Sequence, residues 1–247
     1  MNDIDPAVKY GDKKLMVNVI KIPEPVTIPV AGSDDSFPVH RIFCVGRNYA
    51  EHAREMGHDP DREPPFFFEK HTSSLLFAPM PDGAEFPYPQ QTSDVHHEVE
   101  LIVGLAKGGN DISVEHAFDH VWGYAVGIDM TRRDLQGVAK KMGRPWEVGK
   151  SFDNSAPIGM FHSIAEAGHM SEGHIRLDVN GERRQDGNMD AMIWKIPETI
   201  SYLSGLFTLQ PGDLIMTGTP AGVGPVQKGD VLEGHIEGLS SIKITVT

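Results

Sequence analysis

Three acids, Glu98, Glu100 and Asp129, each sit at the edge of an apolar run. Glu98-Val99-Glu100 opens onto Leu101-Ile102-Val103, and Asp129 closes the run from Trp122 to Ile128. Successive strand side chains point to opposite faces, so Glu98 and Glu100 share one. Carboxylates brought that close repel, and burying them is costly unless a cation neutralises them. A hard divalent ion is the simplest remedy, because Mg²⁺ and Ca²⁺ prefer carboxylate oxygen. Taken alone, Glu-x-Glu is equally at home on a solvated strand face.

Other candidates carry chemistry of a different kind. His52 and Glu55 are three apart on a predicted helix and share a face. A carboxylate beside an imidazole makes a general-base pair, though two polar residues on a solvated helix face read the same way. Arg133 and Gln136 fall on the first turns of a predicted helix after Asp129. An arginine there either binds a carboxylate bidentately or makes a surface salt bridge. Lys150, in Gly149-Lys150-Ser151-Phe152-Asp153, is either a surface charge or a stabiliser of a developing enolate. The loop from Gly218 to Gly224 lacks the Lys-Ser/Thr ending of a phosphate loop. It suits a tight turn that offers backbone N–H groups and the Thr219 hydroxyl to a ligand. No Gly-x-Ser-x-Gly elbow is present, which disfavours a serine hydrolase. His96-His97 hints at zinc, but three carboxylates and no nearby cysteine favour a hard metal.

The elements that must position these residues are mostly strands. Ile42–Val45 and Phe66–Lys70 read as strands, as does the alternating run Ile175–Val179, which meets an Asn180-Gly181 hairpin signal. Helices are expected from about Tyr49 to Met56, from Thr131 to Met142 with Thr131 as N-cap, and from Ile196 to Phe207 with Pro197 in its first turn. Short strands separated by Pro-Gly-Asp, Gly-Thr-Pro and Lys-Gly-Asp turns complete the chain. The pattern is a mixed α/β, β-rich architecture, largely antiparallel, with few helices. Residues 1–38 read as a small leader segment packed on a main body of residues 39–247. The leader holds one strand-like run, Leu15–Ile20, and prolines 23, 25, 29 and 38.

The 247 residues suffice for a large core, and the 39% hydrophobic content suits a globular chain. No apolar run approaches a membrane span, and Met1–Lys14 lacks a signal-peptide pattern. With 35 acids against 22 bases, a nucleic-acid partner is disfavoured, whereas an anionic small molecule is not. The single cysteine, Cys44, forbids an internal disulfide and points to a reducing, cytoplasmic setting. It lies in a strand-like run and reads as a core residue.

Together these motifs resemble the fumarylacetoacetate hydrolase family. The matching residues are Gly46-Arg47-Asn48-Tyr49 with His52 and Glu55, Phe68-Glu69-Lys70, Glu98-Val99-Glu100, Gly127-Ile128-Asp129 with Thr131 and Arg133, Gly149–Asp153, and Thr217–Gly224. The resemblance covers about residues 40–247. It implies a mixed β-sandwich roll with a lid, a Mg²⁺ or Mn²⁺ ion (Ca²⁺ being a further candidate), and a homodimer. By that likeness Glu98, Glu100 and Asp129 match the metal ligands, and His52 and Glu55 match the water-activating pair on the lid. Lys150 joins them as a catalytic residue, and Arg47, Tyr49, Lys70, Arg133, Gln136 and Thr219 match substrate contacts. Within the family the chain looks most like acylpyruvate hydrolases, fumarylpyruvate hydrolases above all. The implied substrate is a small dicarboxylate or diketo acid. Oxaloacetate decarboxylation or tautomerisation is the alternative that uses the same metal–enolate chemistry.

Overall fold

The computed structural model describes residues 18–49 and 63–247. Among them, an eight-stranded sheet forms the centre. Its main path runs Phe66–Lys70, Ile42–Gly46, Leu214–Met216, Val99–Leu105, Val121–Ile128, Ala156–Ile158, Leu75–Phe77. Most neighbours are antiparallel, but Leu214–Met216 pairs parallel with Ile42–Gly46, and Ala156–Ile158 parallel with Leu75–Phe77. A five-stranded sheet runs Glu182–Asn188, His174–Val179, Val231–Ile236, Ile242–Val246, Ala84–Phe86.

The central strands are apolar on both faces because both faces are covered. Every residue of Val99–Leu105 is buried. Phe43, Val45, Leu101, Val103 and Val126 join one core with Ile175, Leu177, Leu232 and Ile244 of the second sheet. The alternate residues Ile42, Cys44, Ile102 and Ala125 join another with Ile28, Phe37 and Phe161. Continuous rather than alternating hydrophobicity is what two covered faces require. Cys44 is fully buried there, and burial, with Asp129 next, pushes its thiol well above the ordinary range. It is a core residue.

Two expected features hold closely. Phe66–Lys70 is a strand, and Asn180 and Gly181, with φ of 53° and 78°, turn the hairpin between His174–Val179 and Glu182–Asn188. Positive φ at both central positions is the demand of that turn. Two others differ. Asn18–Ile20 is not a strand, and Val19 and Ile20 are exposed; Leu15–Val17 lies outside the described residues. Instead, Thr27–Pro29 and Ser36–Pro38 pair as a hairpin that buries Ile28 and Phe37 against the central sheet. Thr131 does not cap a helix. It pairs with His96 in a short strand, and the helix is Arg133–Lys141. Its hydroxyl serves Asp129 and Lys150 instead. The helix expected over Tyr49–Met56 lies outside the described residues from residue 50 onward. No helix of the described residues is long and apolar enough to cross a membrane.

Chain ends converge at one end of the central sheet. Gly46 is the last residue of its strand and Phe66, its register partner, the first of the next. Met216 ends the parallel neighbour. Val99 opens its antiparallel strand opposite Ile128, which closes the one beside it. Asn48 locks this end together. Its amide donates to the Trp194 and Thr217 carbonyls at 2.9 and 2.8 Å, and its carbonyl accepts from Trp194 N–H at 2.7 Å. Asn48→Ala strands these buried groups and is expected to cost about 3 kcal/mol. A lowered urea midpoint at unchanged m-value checks it; an unshifted midpoint would show that Asn48 is not such a lock.

Candidate active site

The strand ends place Glu98, Glu100 and Asp129 side by side. Their carboxylate oxygens lie within 4.8 Å of one another, and all three residues are buried. Asp129 N–H donates to the Glu98 carbonyl at 2.8 Å, which pins the two segments together. No other group of three or more potential metal-ligating side chains occurs among the described residues.

Cations surround the acids. Lys150 Nζ donates to Glu98 Oε2, Asp129 Oδ2 and Thr131 Oγ1, each at 2.7 Å. Arg133 pairs with the other Glu98 oxygen and donates to Gln136 Oε1 at 2.7 Å. Lys70 Nζ lies 2.9 Å from Asp129 Oδ1. Burial opposes the Lys150 charge, but Asp129 and Glu98 outweigh it and hold its pKa above the ordinary lysine range. It is an ammonium. Glu100 has less help. Burial, then Asp129 and Glu98, pushes its carboxyl well above the usual range, while Lys150 and the Gly218 N–H pull the other way.

Gly218 N–H donates to Glu100 Oε2 at 2.8 Å. That approach requires glycine: φ is 95°, and a Cβ would lie 2.8 Å from the Asn48 Cβ. Next to it, Thr219 Oγ1 accepts from the Gln185 amide at 2.7 Å. Gln185 also accepts from Val99 N–H and contacts His97 Nδ1. Burial pushes His97 down to about 4, so it is neutral and stands apart from the acid cluster.

The donor set fits a hard divalent ion. It is three carboxylates without sulfur or imidazole, and burial, with Asp129 and Glu98 beside it, disfavours the charged form of Glu100. Repulsion among carboxylates in a buried cluster is what such an ion relieves.

Above the acids opens a pocket of ≈ 520 Å³, mouth included. Of the expected site residues, Arg47, Arg133, Gln136, Lys150 and Thr219 line it with the three acids. Lys70 and Tyr49 do not. Lys70 is fully buried behind the wall, donating to the Met130, Lys150 and Ser155 carbonyls and the Ser155 hydroxyl. It supports Asp129 from behind. Tyr49 is buried with its hydroxyl unpartnered, and burial, then Glu100 and Asp190, raises its pKa. His52 and Glu55 lie outside the described residues. Sequence reasoning missed Lys140 and the aromatic wall of Phe66, Phe68 and Trp146. Trp146 packs edge-on to Phe66 at 5.2 Å and tilted to Phe68 at 5.8 Å. Their signals were present: Phe66 and Phe68 share a strand face, and Lys140 is seven residues beyond Arg133 on one helix.

A β-rich fold with a metal-ready acid cluster at one end of its central sheet defines a metal-dependent enzyme class. The chain belongs to the fumarylacetoacetate hydrolase family: residues 41–247 match its fumarylacetoacetate (FAA) hydrolase C-terminal pattern. The crystal structure of fumarylpyruvate hydrolase from Pseudomonas aeruginosa, in complex with Mn²⁺ and pyruvate, is 50% identical. It superposes with a TM-score of 0.90 over 94% of this chain and 99% of that one. The oxaloacetate tautomerase FAHD1 of Homo sapiens is 43% identical over 83% of this chain and 90% of its own. The oxaloacetate decarboxylase of Dictyostelium discoideum is 43% identical over 81% and 90%.

Lys150 donates to oxygens of Glu98 and Asp129, the acids that would hold a metal ion. Lys150→Met is therefore expected to tighten Mn²⁺ binding by about tenfold or more, since a like charge a few ångströms away is removed. Isothermal titration of the metal-free variant checks this. Weaker binding would show that Lys150 organises the ligands rather than opposing the ion.

Proposed function

We propose that the protein hydrolyses the C–C bond of an acylpyruvate, with fumarylpyruvate giving fumarate and pyruvate. One observation carries the reading. A buried Glu98–Glu100–Asp129 cluster, holding the Lys150 ammonium between two of its carboxylates, forms the floor of an open pocket walled by aromatic rings. The 50% identity to a fumarylpyruvate hydrolase supports the choice of substrate.

Carbon is a poor leaving group, so stabilising the departing enolate is the main demand. A divalent ion held by Glu98, Glu100 and Asp129 supplies Lewis-acid charge for that purpose, with Mg²⁺ or Mn²⁺ the proposed metal. Lys150, at hydrogen-bond distance from two of the ligands, adds a second positive charge beside the same oxygens. Arg133 holds Glu98 in place through its guanidinium and is held by Gln136. The Thr219 hydroxyl, oriented by Gln185, is free to donate toward the pocket. His52, backed by the Glu55 carboxylate, takes a proton from the water that attacks the distal carbonyl. The water oxygen bonds to C4, the C3–C4 bond breaks, and the acyl group, now carrying that oxygen, is released as fumarate. The bonding pair passes to the pyruvate enolate, which is protonated to pyruvate.

A second reading is oxaloacetate decarboxylation or tautomerisation, favoured by the relatives that carry those activities at 43% identity. It needs the same enolate but no attacking water. The two separate on a panel of fumarylpyruvate, acetylpyruvate and oxaloacetate compared by kcat/KM. Fumarylpyruvate is expected to lead, and a lead for oxaloacetate would overturn the hydrolase reading. His52→Ala is expected to abolish hydrolysis while sparing any decarboxylation.

The roles of base and ligand separate as well. Glu55→Gln is expected to lower kcat by roughly 10²-fold or more with metal affinity unchanged. Glu100→Gln is expected to weaken the metal and, with it, substrate binding. Metal titration beside steady-state kinetics checks both variants, and the opposite pattern would exchange the two assignments.

A further inference from the structure

Gln185 is the only buried residue of the Glu182–Asn188 strand, and it is fully buried. An apolar side chain would seal that position at least cost, so a glutamine there needs partners for its polar atoms. A bulge aims it. Leu177 pairs with Gln185 and Asp178 with Arg183, which leaves Arg184 out of register. Bulges re-aim side chains and recur beside active sites. This one meets the loop that carries Thr219: Gly222 has a φ of 91°, and a Cβ on it would run into the Arg184 carbonyl oxygen. Only glycine allows that approach.

The Gln185 amide can sit one way round only. Its Oε1 accepts from the Val99 N–H at 3.0 Å, and a backbone N–H can only donate. Its Nε2 donates to the Pro220 carbonyl at 2.9 Å, and a carbonyl can only accept. Backbone groups of fixed polarity thus hold both ends of the amide. His97 Nδ1, 2.9 Å from the same Oε1, must then carry its proton. Thr219 Oγ1, 2.7 Å from Nε2, must accept. A hydroxyl that accepts there keeps its own proton for another partner. Among the described residues no acceptor takes that proton, and Thr219 lines the pocket beside Glu98, Glu100 and Asp129. Val99 lies between Glu98 and Glu100, so one side chain ties the Thr219 hydroxyl to the strand start that carries two of the acids.

We infer that Gln185 is a positioning residue, which locks the Thr219 hydroxyl as a donor into the pocket and so pre-organises one contact to an anionic oxygen of a bound 2-oxo acid. That ligand class rests on the function proposed above. Gln185 is not part of the pocket lining and acts through Thr219 alone. With the hydroxyl already turned, binding does not have to select its rotamer.

The test is a double-mutant cycle read by calorimetry of pyruvate binding to the Mn²⁺-saturated full chain at mildly alkaline pH. Gln185→Glu keeps an acceptor for the Val99 N–H and for His97 Nδ1–H, but takes the Thr219 proton for itself. It is expected to weaken pyruvate about tenfold more in the unaltered background than beside Thr219→Val, where only its added charge acts. Gln185→Met removes the amide donor without adding charge, and serves where burial keeps the new carboxyl protonated. It should cost about threefold, the choice among three hydroxyl rotamers, and nothing beside Thr219→Val. Thr219→Ser keeps the hydroxyl and should keep the sensitivity to both changes. A residue that merely holds the fold would lower affinity with or without the hydroxyl. Equal costs in the two backgrounds for both variants, no cost from either, or no pyruvate binding by the unaltered protein would overturn the role of Gln185. Binding is read without turnover, so the two proposals fail separately. A hydroxyl-dependent cost in a protein that does not hydrolyse fumarylpyruvate would sink only the reaction, and hydrolysis with equal costs would sink only the positioning role.

Discussion

Burying three carboxylates within 4.8 Å of one another is the constraint on which the rest of this structure turns. Unpaired, they would cost several kcal/mol each in desolvation and more in mutual repulsion. The fold meets this with three cations and a backbone donor drawn from different segments. Lys150 comes from the short helix Glu147–Lys150, Arg133 from the helix start, Lys70 from the end of a strand, and the Gly218 N–H from a loop. None is local to its acid in sequence, so the cluster can form only when the whole sheet end has closed. A site of this kind ties catalytic geometry to global folding.

The compensation is uneven, and the unevenness is useful. Glu98 and Asp129 each face Lys150, whereas Glu100 accepts from the Gly218 N–H, and burial, then Asp129 and Glu98, favours its protonated form. The cluster therefore keeps unmet affinity for positive charge despite its lysines. A fully neutralised cluster would be more stable and would bind no metal. Retaining residual demand at a functional site, at some cost in stability, is a common compromise.

Much of this was legible in the sequence, and the losses have physical causes. The Ile42–Gly46 strand was visible because both its faces are buried and its apolar run is unbroken, and Phe66–Lys70 because three aromatic residues open it. The acids were visible because a period of two places Glu98 and Glu100 on one face, and residue type then restricts the chemistry. Thr131 was misread because capping is a local rule, while its hydroxyl answers to Lys150, nineteen residues away. Lys70 shares a strand face with Phe66 and Phe68, but it lies two residues deeper, roughly 7 Å further from the rim. Depth along a strand, unlike its facing, has no local signature. Lys140 sits beside Lys141 on a polar helix and reads as solvated charge, yet it lines the pocket together with Arg47.

The division of the pocket also bears on how one family serves several reactions. Hydrolysis of an acylpyruvate, decarboxylation of oxaloacetate and its tautomerisation all pass through the enolate of a 2-oxo acid. Under the proposed function, the floor built from Glu98, Glu100, Asp129 and Lys150 would answer that shared demand whichever bond broke. Discrimination must then come from elements that touch the rest of the substrate: a base able to deliver water, and a lining that reads the far end. Among the described residues, the Ile42–Gly46 strand end and the Arg133–Lys141 helix supply lining to the same pocket. The buried charges of the floor are costly to alter, so substrate choice would change at the lining around it, without rebuilding the site that makes the chemistry feasible.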